Sequence, residues 1–280
     1  MNKKRARYAA FRSALGKVAR GEDYQRLSGW FEQGRKHMKQ EGHRRIEELS
    51  GGDGQHPLLG KVSLLAPLSL GLREQAHTSM IAWLLDPSKE HGFGATLLEA
   101  LLRDLSPDKQ NGHPAHVKVE SESYLSNGNG RVDIRLTGKW DERRNGPGWL
   151  LLIEAKIKAR EGKDQLSRYD KDAQGWKKKN RGGQVHKLYL TAAVSDRGQS
   201  TRKKSGWEHR NYGQLMKVFW STASKKSDAE GFHLLRHYLT GVLKDIMDWP
   251  IPITKDNVPY ETLSLLPSVS SQRSVKGESR

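Results

Sequence analysis

The sequence predicts an α/β domain, a mixed β-sheet core flanked by helices, preceded by a basic helical N-terminal extension. Three observations predict it. Stretches of strand periodicity and of helical periodicity alternate between residues 72 and 247. A strand, a helix and a second strand follow one another over residues 149–194, which requires a crossover and so makes part of the sheet parallel. Residues 1–50 carry 13 Lys/Arg against 6 Asp/Glu, with Tyr8, Phe11, Leu15 and Val18 at helical spacing.

The elements follow in order. The run Gly51-Gly52-Asp53-Gly54-Gln55-His56-Pro57 breaks the helical pattern, so residues 1–57 are expected to form the extension, 58–250 the main domain and 251–280 a tail. Residues 72–85 read as a helix ended by Asp86-Pro87, and 95–105 as an amphipathic helix stopped by Ser106-Pro107. Strands are expected at 117–125, 131–137 and 149–157, the first two joined by the hairpin turn Asn127-Gly128-Asn129-Gly130. Trp149-Leu150-Leu151-Leu152-Ile153 is apolar on both faces, as a strand buried at the centre of a sheet must be. A helix at 163–175 and a core strand at 187–194 come next. Residues 207–220 and a helix over 232–247 complete the domain, the latter with Leu234, Leu235, Tyr238, Leu239, Val242, Leu243 and Ile246 on its buried side. The last fifteen residues, rich in Ser, Arg and Lys, have the composition of a disordered tail.

Composition narrows the function. A net charge of +17 and a pI near 9.9 point to a polyanionic partner, most simply nucleic acid. Charge alone does not separate DNA from RNA or from an anionic membrane. No apolar run of about 18 residues occurs, which excludes a spanning helix. The basic start lacks an apolar segment behind it, and there is no cysteine; a cytoplasmic location is expected, and disulfides, thiolate catalysis and cysteine-held zinc are excluded. His233 and His237 are four apart but have no third zinc ligand in view. No Gly-Lys-Ser/Thr loop is present, so an intrinsic ATPase is not expected.

The chemistry lies in Arg131-Val132-Asp133-Ile134 and Ile153-Glu154-Ala155-Lys156-Ile157. Alternation along a strand puts Glu154 and Lys156 on one face and Ile153, Ala155 and Ile157 on the other. If the two strands pair, Asp133 and Glu154 converge on one divalent cation, with the Ala155 carbonyl as a third donor and the Lys156 ammonium beside them. Phosphodiester hydrolysis needs an activated water, neutralised charge and help for the departing oxyanion, and such a set provides all three. Lys156 is expected to stabilise the pentacovalent transition state or to hold the attacking water. The plain alternative is a weak ion pair on an exposed strand, which the apolar run before Glu154 disfavours.

These residues, with Gln165-Leu166-Ser167-Arg168-Tyr169 after them, resemble the PD-(D/E)xK nuclease superfamily, the fold of many restriction enzymes. Glu74, Thr78-Ser79, Trp83-Leu84-Leu85-Asp86-Pro87 and His91-Gly92-Phe93-Gly94 are similar to a bacterial and phage branch of it. The resemblance spans roughly residues 70–245 and implies a restriction-endonuclease-like fold with Asp133, Glu154 and Lys156 as catalytic residues. Val132 stands where the superfamily often has proline. Glu74 matches the acid that the superfamily places on its first helix to complete the metal site; a glutamate at a helix start is also favoured by the macrodipole alone. His77 and Thr78 lie one turn on and are expected to look into the cleft. Gln165 and Tyr169 match a Gln-x-x-x-Tyr signature that supports the site and contacts substrate.

Residues 158–210 carry 15 Lys/Arg against 6 Asp/Glu, and Lys163, Arg168, Lys177, Lys178, Lys179 and Arg181 are expected to bind nucleic-acid phosphates. The tryptophans beside the basic runs are more readily core residues. The leading expectation is a Mg²⁺-dependent endonuclease, with Mn²⁺ able to substitute, acting on DNA within an anti-phage or restriction system, alone or with a helicase, ATPase or other defence subunit, and as a homodimer where both strands are cut. The alternatives are a binding or partner-dependent subunit on a nuclease scaffold, and a nuclease of RNA.

Overall fold

Five consecutive apolar residues, Trp149–Ile153, are completely buried, and they form the middle of the central strand. The structure is a computed structural model, and it describes residues 51–107, 112–126, 128, 130–140, 147–158, 162, 164–192, 206–249 and 251–253, with a few positions between 29 and 50. Most of the expected N-terminal helices, most of the C-terminal tail and Lys163 lie outside those residues. The chain divides into two units, Met1–Asp53 with Ile253–Val258, and Gly54–Pro252 with Pro259–Arg280. The second unit holds the sheet and the helices that flank it.

Its elements are α1 (Glu74–Leu85), α2 (Thr96–Leu105), β1 (Pro114–Tyr124), β2 (Arg131–Trp140), β3 (Gly148–Lys156), α3 (Gln165–Lys179), β4 (Gln184–Thr191), β5 (Glu208–Asn211), α4 (Tyr212–Ala223) and α5 (Phe232–Gly241). Single 3₁₀ turns, Pro57–Leu59 and Ala66–Leu68, precede α1. The sheet order is β1-β2-β3-β4-β5, antiparallel among the first three strands and parallel from β3 to β5. The mixed sheet with flanking helices is the expected restriction-endonuclease-like arrangement. α3 is the crossover between β3 and β4, as the strand–helix–strand order required.

Each face of the sheet is covered for a reason visible in the residues. Leu166, Tyr169 and Ala173 of α3 recur at helical spacing and pack with Leu150, Leu152, Tyr189 and Trp207 in one buried cluster. α1 lies against β1, β2 and β3, and α2 against α4. In α2, Leu97, Leu98, Leu101, Leu102 and Leu105 are all buried, each side chain worth about 2 kcal/mol in transfer free energy before chain entropy is counted. Gly138 on β2 is dictated by its neighbour: a Cβ there would sit 2.4 Å from the Trp149 ring. α4 opens with a reciprocal cap in which Asn211 accepts the Gln214 N–H at 2.7 Å and Gln214 accepts the Asn211 N–H at 2.9 Å.

Several expectations change. Leu234 is 36% exposed rather than buried: at 100° per residue it stands 40° beyond Tyr238, just outside the arc that holds Leu235, Tyr238, Leu239 and Val242. The helix does not run unchanged to Met247; residues Val242–Ile246 are π-helical. His77 and Thr78 turn into the core instead of the cleft. The His77 Nε2–H donates to the Gly71 carbonyl at 2.9 Å, its Nδ1 faces the Tyr238 hydroxyl at 3.3 Å, and burial pushes its pKa down. His91 is likewise a fastener: Nδ1 accepts the Phe93 N–H at 3.0 Å, and Nε2 donates to the Asp86 carbonyl at 2.9 Å. Among the described residues no helix is long and apolar enough to cross a membrane.

Candidate active site

The β2–β3 ladder pairs Ile134 with Ile153 and goes no further toward the site. Beyond that pair the strands part, and the Asp133 carboxylate takes over the next amide: its Oδ2 accepts the Ala155 N–H at 2.7 Å. Asp133 is thereby fixed beside Glu154. β3 meanwhile stays paired with β4 as far as Lys156, opposite Thr191, so Glu154 and Lys156 are held at the carboxyl end of a parallel pair.

Glu154 is fully buried. Its Oε1 accepts from the Lys156 ammonium at 2.6 Å and from Gln165 Nε2 at 2.6 Å, while its Oε2 has no partner among the described residues. Burial, then the Asp133 charge, push its pKa up to about 7 against the opposing pull of Lys156. Burial also raises Asp133, opposed by the Ala155 N–H and by Lys156, and assisted by the charges of Glu122 and Glu74. For Lys156, burial acts downward, but the hydrogen bond and charge of Glu154 and the charges of Asp133 and Glu74 outweigh it, so its pKa is raised. The ammonium therefore stays charged in a site short of positive charge.

Glu74, in the first turn of α1, closes the site from the other side. Its Oε1 accepts the N–H groups of Ile157 at 2.9 Å and Lys158 at 3.3 Å, and its Oε2 lies 4.0 Å from Lys156 Nζ. The helix start and the exit of β3 are thus tied by one carboxylate. Among the described residues, no three His, Asp or Glu side chains gather into one metal-holding group. The acids here are bridged by Lys156, with Asp133 and Glu154 adjacent and Glu74 at the rim.

Gln165 and Tyr169 share a face of α3 beneath this set. Gln165 Nε2 reaches both Glu154 Oε1 and the Tyr169 hydroxyl, the latter at 2.7 Å, and the Tyr169 hydroxyl donates to the Arg131 carbonyl at 2.6 Å. Tyr169 is 1% exposed, and its hydroxyl makes it a strut between α3 and β2. Burial raises its pKa well above the ordinary tyrosine value. Arg168 packs beside Gly130 at the β1–β2 turn. Lys177, Lys178, Lys179 and Arg181 are exposed, but they do not border the site. They stand at or just past the far end of α3, roughly 20 Å from Gln165 at 1.5 Å per residue.

Two features escaped the sequence reading. Glu122 of β1 lies across from Asp133, with φ +50, and adds a fourth carboxylate to the neighbourhood. Counting outward from the hairpin turn, which pairs Tyr124 with Arg131, locates it. The other is Asp172 of α3, which accepts from Ser126 N at 2.8 Å, Ser126 Oγ at 2.6 Å and Arg135 Nη1 at 2.5 Å. It locks the β1–β2 turn and β2 to α3. No local sequence signal marks it.

The family model of the PD-(D/E)XK nuclease superfamily matches residues 65–240, more than half of the chain, and this protein belongs to that superfamily. No curated protein matches the sequence significantly. Among solved structures, it is similar to a repair endonuclease from Pyrococcus abyssi at 17% identity, over 40% of this chain and 44% of that one, with a TM-score of 0.24. It is also similar to the MspJI restriction endonuclease in complex with a 27-mer oligonucleotide, at 14% identity, over 61% and 35% of the two chains, with a TM-score of 0.27. Overlaps this partial carry no argument, and this chain spans less than half the length of either.

Proposed function

We propose that this protein is a divalent-metal-dependent endonuclease that hydrolyses phosphodiester bonds in DNA. The observation that carries the reading is Glu154: a fully buried carboxylate beside Asp133, with a lysine 2.6 Å from one oxygen and, among the described residues, no partner for the other. A buried acid so placed is costly unless a cationic ligand completes it. The donor set fits a hard cation, being all oxygen: Asp133, Glu154, the Ala155 carbonyl and, at the rim, Glu74. Bound there, Mg²⁺ or Mn²⁺ would supply Lewis-acid neutralisation of the phosphate charge. The chain's own residues do the rest. Lys156 Nζ, raised in pKa and partly buried, donates to a phosphate oxygen or to the attacking water. Gln165 and Tyr169 fix Glu154 against β2, and Asp133 is fixed by the Ala155 N–H.

The net charge of +17 supports a polyanionic substrate. We place the protein in the cytoplasm and in a defence or restriction setting, with residues 58–250 as the nuclease domain and the basic extension as an additional contact. The acids are bridged by Lys156 rather than gathered as three donors, and this favours a second reading, in which a helicase, ATPase or second copy completes the site.

The deciding assay uses purified full-length protein with Mg²⁺ or Mn²⁺ on circular and linear duplex DNA, single-stranded DNA and RNA. Cleavage of DNA that disappears in Asp133→Ala and Lys156→Ala, both still folded, is the expected result. Equal cleavage by those variants and the wild type would remove the reading. Salt-sensitive binding without cleavage, restored by an added ATPase partner, would select the second.

A further inference from the structure

At the mouth of the β1–β2 hairpin, Tyr124 is 71% exposed, the most exposed of the large apolar side chains among the described residues. It buries too little surface to serve the core. Its neighbours are organised nonetheless. The Arg131 guanidinium, directly across the strand pair, lies over the Tyr124 ring with its carbon 5.6 Å from the centroid, and Glu122 Oε2 holds that guanidinium at 3.3 Å from Nη1. The ring and the cation are thus set by a third side chain, which also acts electrostatically on Asp133.

The platform is registered to the chemistry through covalent and hydrogen-bonded links. Arg131 stands two residues before Asp133, roughly 7 Å along the strand. Its carbonyl accepts the Tyr169 hydroxyl, which accepts from Gln165, which donates to Glu154. On its other side the turn is held by Asp172 through both polar groups of Ser126. β1 is the outer strand of the sheet, so among the described residues no neighbouring strand flanks Tyr124 on that side.

We infer that Tyr124, backed by Arg131, is a stacking platform for one unpaired nucleobase of the substrate strand, on the strand pair that carries Asp133. The inference rests on the nuclease reading and deepens it. An exposed aromatic face with a guanidinium beside it offers what every base can use, a π-surface and a cation, and it is blind to base identity. A base paired and stacked within a duplex cannot present its face there, so the platform selects single-stranded or locally opened substrate. Phosphates reach the site by charge, and Tyr124 sets which nucleotide stops at it.

The test uses full-length protein and single-stranded oligonucleotides with 2-aminopurine walked along the strand, in the Lys156→Ala background so that the strand survives. Stacking quenches the fluorophore at one position. In Tyr124→Ala the quench is lost and Kd rises roughly 5- to 100-fold; Tyr124→Phe retains both, and Tyr124→Leu, apolar but not aromatic, behaves as the alanine variant. In the Lys156-intact protein, Tyr124→Ala raises KM and leaves kcat within about twofold. Unchanged quench and Kd in Tyr124→Ala, or full retention in Tyr124→Leu, overturns the platform while wild-type cleavage keeps the nuclease reading. Wild-type protein that neither binds nor cuts any nucleic acid overturns both.

Discussion

Two buried carboxylates sit on either side of the β2–α3 junction and are treated in opposite ways. Asp172 accepts two hydrogen bonds from Ser126 and one from Arg135, and although burial alone would raise its pKa, these partners bring it below the ordinary value. Glu154 is at least as deeply buried, but its two partners crowd onto one oxygen and the other oxygen has none among the described residues; its pKa goes up to about 7. A carboxylate that holds a fold together is saturated by the chain. One left short, next to a second acid also raised in pKa, is where we propose that a cation completes the set.

The contrast breaks most visibly at Glu154. Glu154→Gln is expected to lower cleavage by roughly 10³-fold, yet to leave thermal unfolding of the cation-free protein nearly unchanged, read by circular dichroism; a large loss of stability would mean that Glu154 is structural like Asp172. The reverse holds for Asp172→Ala, which strands the nearly buried Arg135 and should cost about 3 kcal/mol in denaturant unfolding. The sign of its pH dependence follows from the lowered pKa. The stabilisation is fully present above the ordinary value of 3.8 and is lost as pH falls through the lower folded value, so wild type and variant should converge in acid. Unfolding curves that stay equally far apart at low pH would contradict the lock.

Smaller effects sharpen the same division. Tyr169→Phe removes the hydroxyl that joins Gln165 to the Arg131 carbonyl, for about 1 kcal/mol of stability, with a fall in cleavage rate exceeding any change in KM; unaltered kinetics would detach the strut from the site. Smallest is the change expected for Lys177, Lys178 and Lys179 replaced together by Gln. Being roughly 20 Å from Gln165, they should leave cutting of a short oligonucleotide untouched. They should flatten the salt dependence of binding to a long duplex by at most about 3 in slope. A change on short substrates alone would contradict the distance.

The features legible in the chain are those written in local patterns. The central strand was legible because Trp149–Ile153 is apolar on both faces, the hairpin because of its Asn-Gly turn, and the crossover because strand, helix and strand follow in order. The adjacency of Asp133 and Glu154 follows from strand alternation if the two strands pair; the ladder itself ends at Ile134 and Ile153, and the Asp133 carboxylate on the Ala155 N–H completes the approach. What stayed hidden depends on depth and direction. Tyr169 and His77 carry polar groups that sequence reading sends toward a cleft, but both satisfy those groups inside the core. The lysines after Trp176 are legible as a phosphate-binding run from their charge, but not their distance from Gln165, which the length of the helix sets at roughly 20 Å. A last turn rich in lysine is also stabilised by the helix dipole, so the run has a reason to exist without a ligand. Asp172 and Ser126 are 46 positions apart, and nothing short of tertiary structure joins them.

The outer strand β1 bears on how copies of this protein can meet. Its outer edge is interrupted by left-handed backbone at His116 and Glu122, the register shifts between Ala115 and Lys118, and Lys118 and Glu120 bring charge to the stretch between. Kinks and charges of this kind deny an incoming strand a straight ladder to extend. A second molecule is therefore turned away from β-augmentation along β1, and that rim is kept clear of the edge-to-edge stacking that begins aggregation.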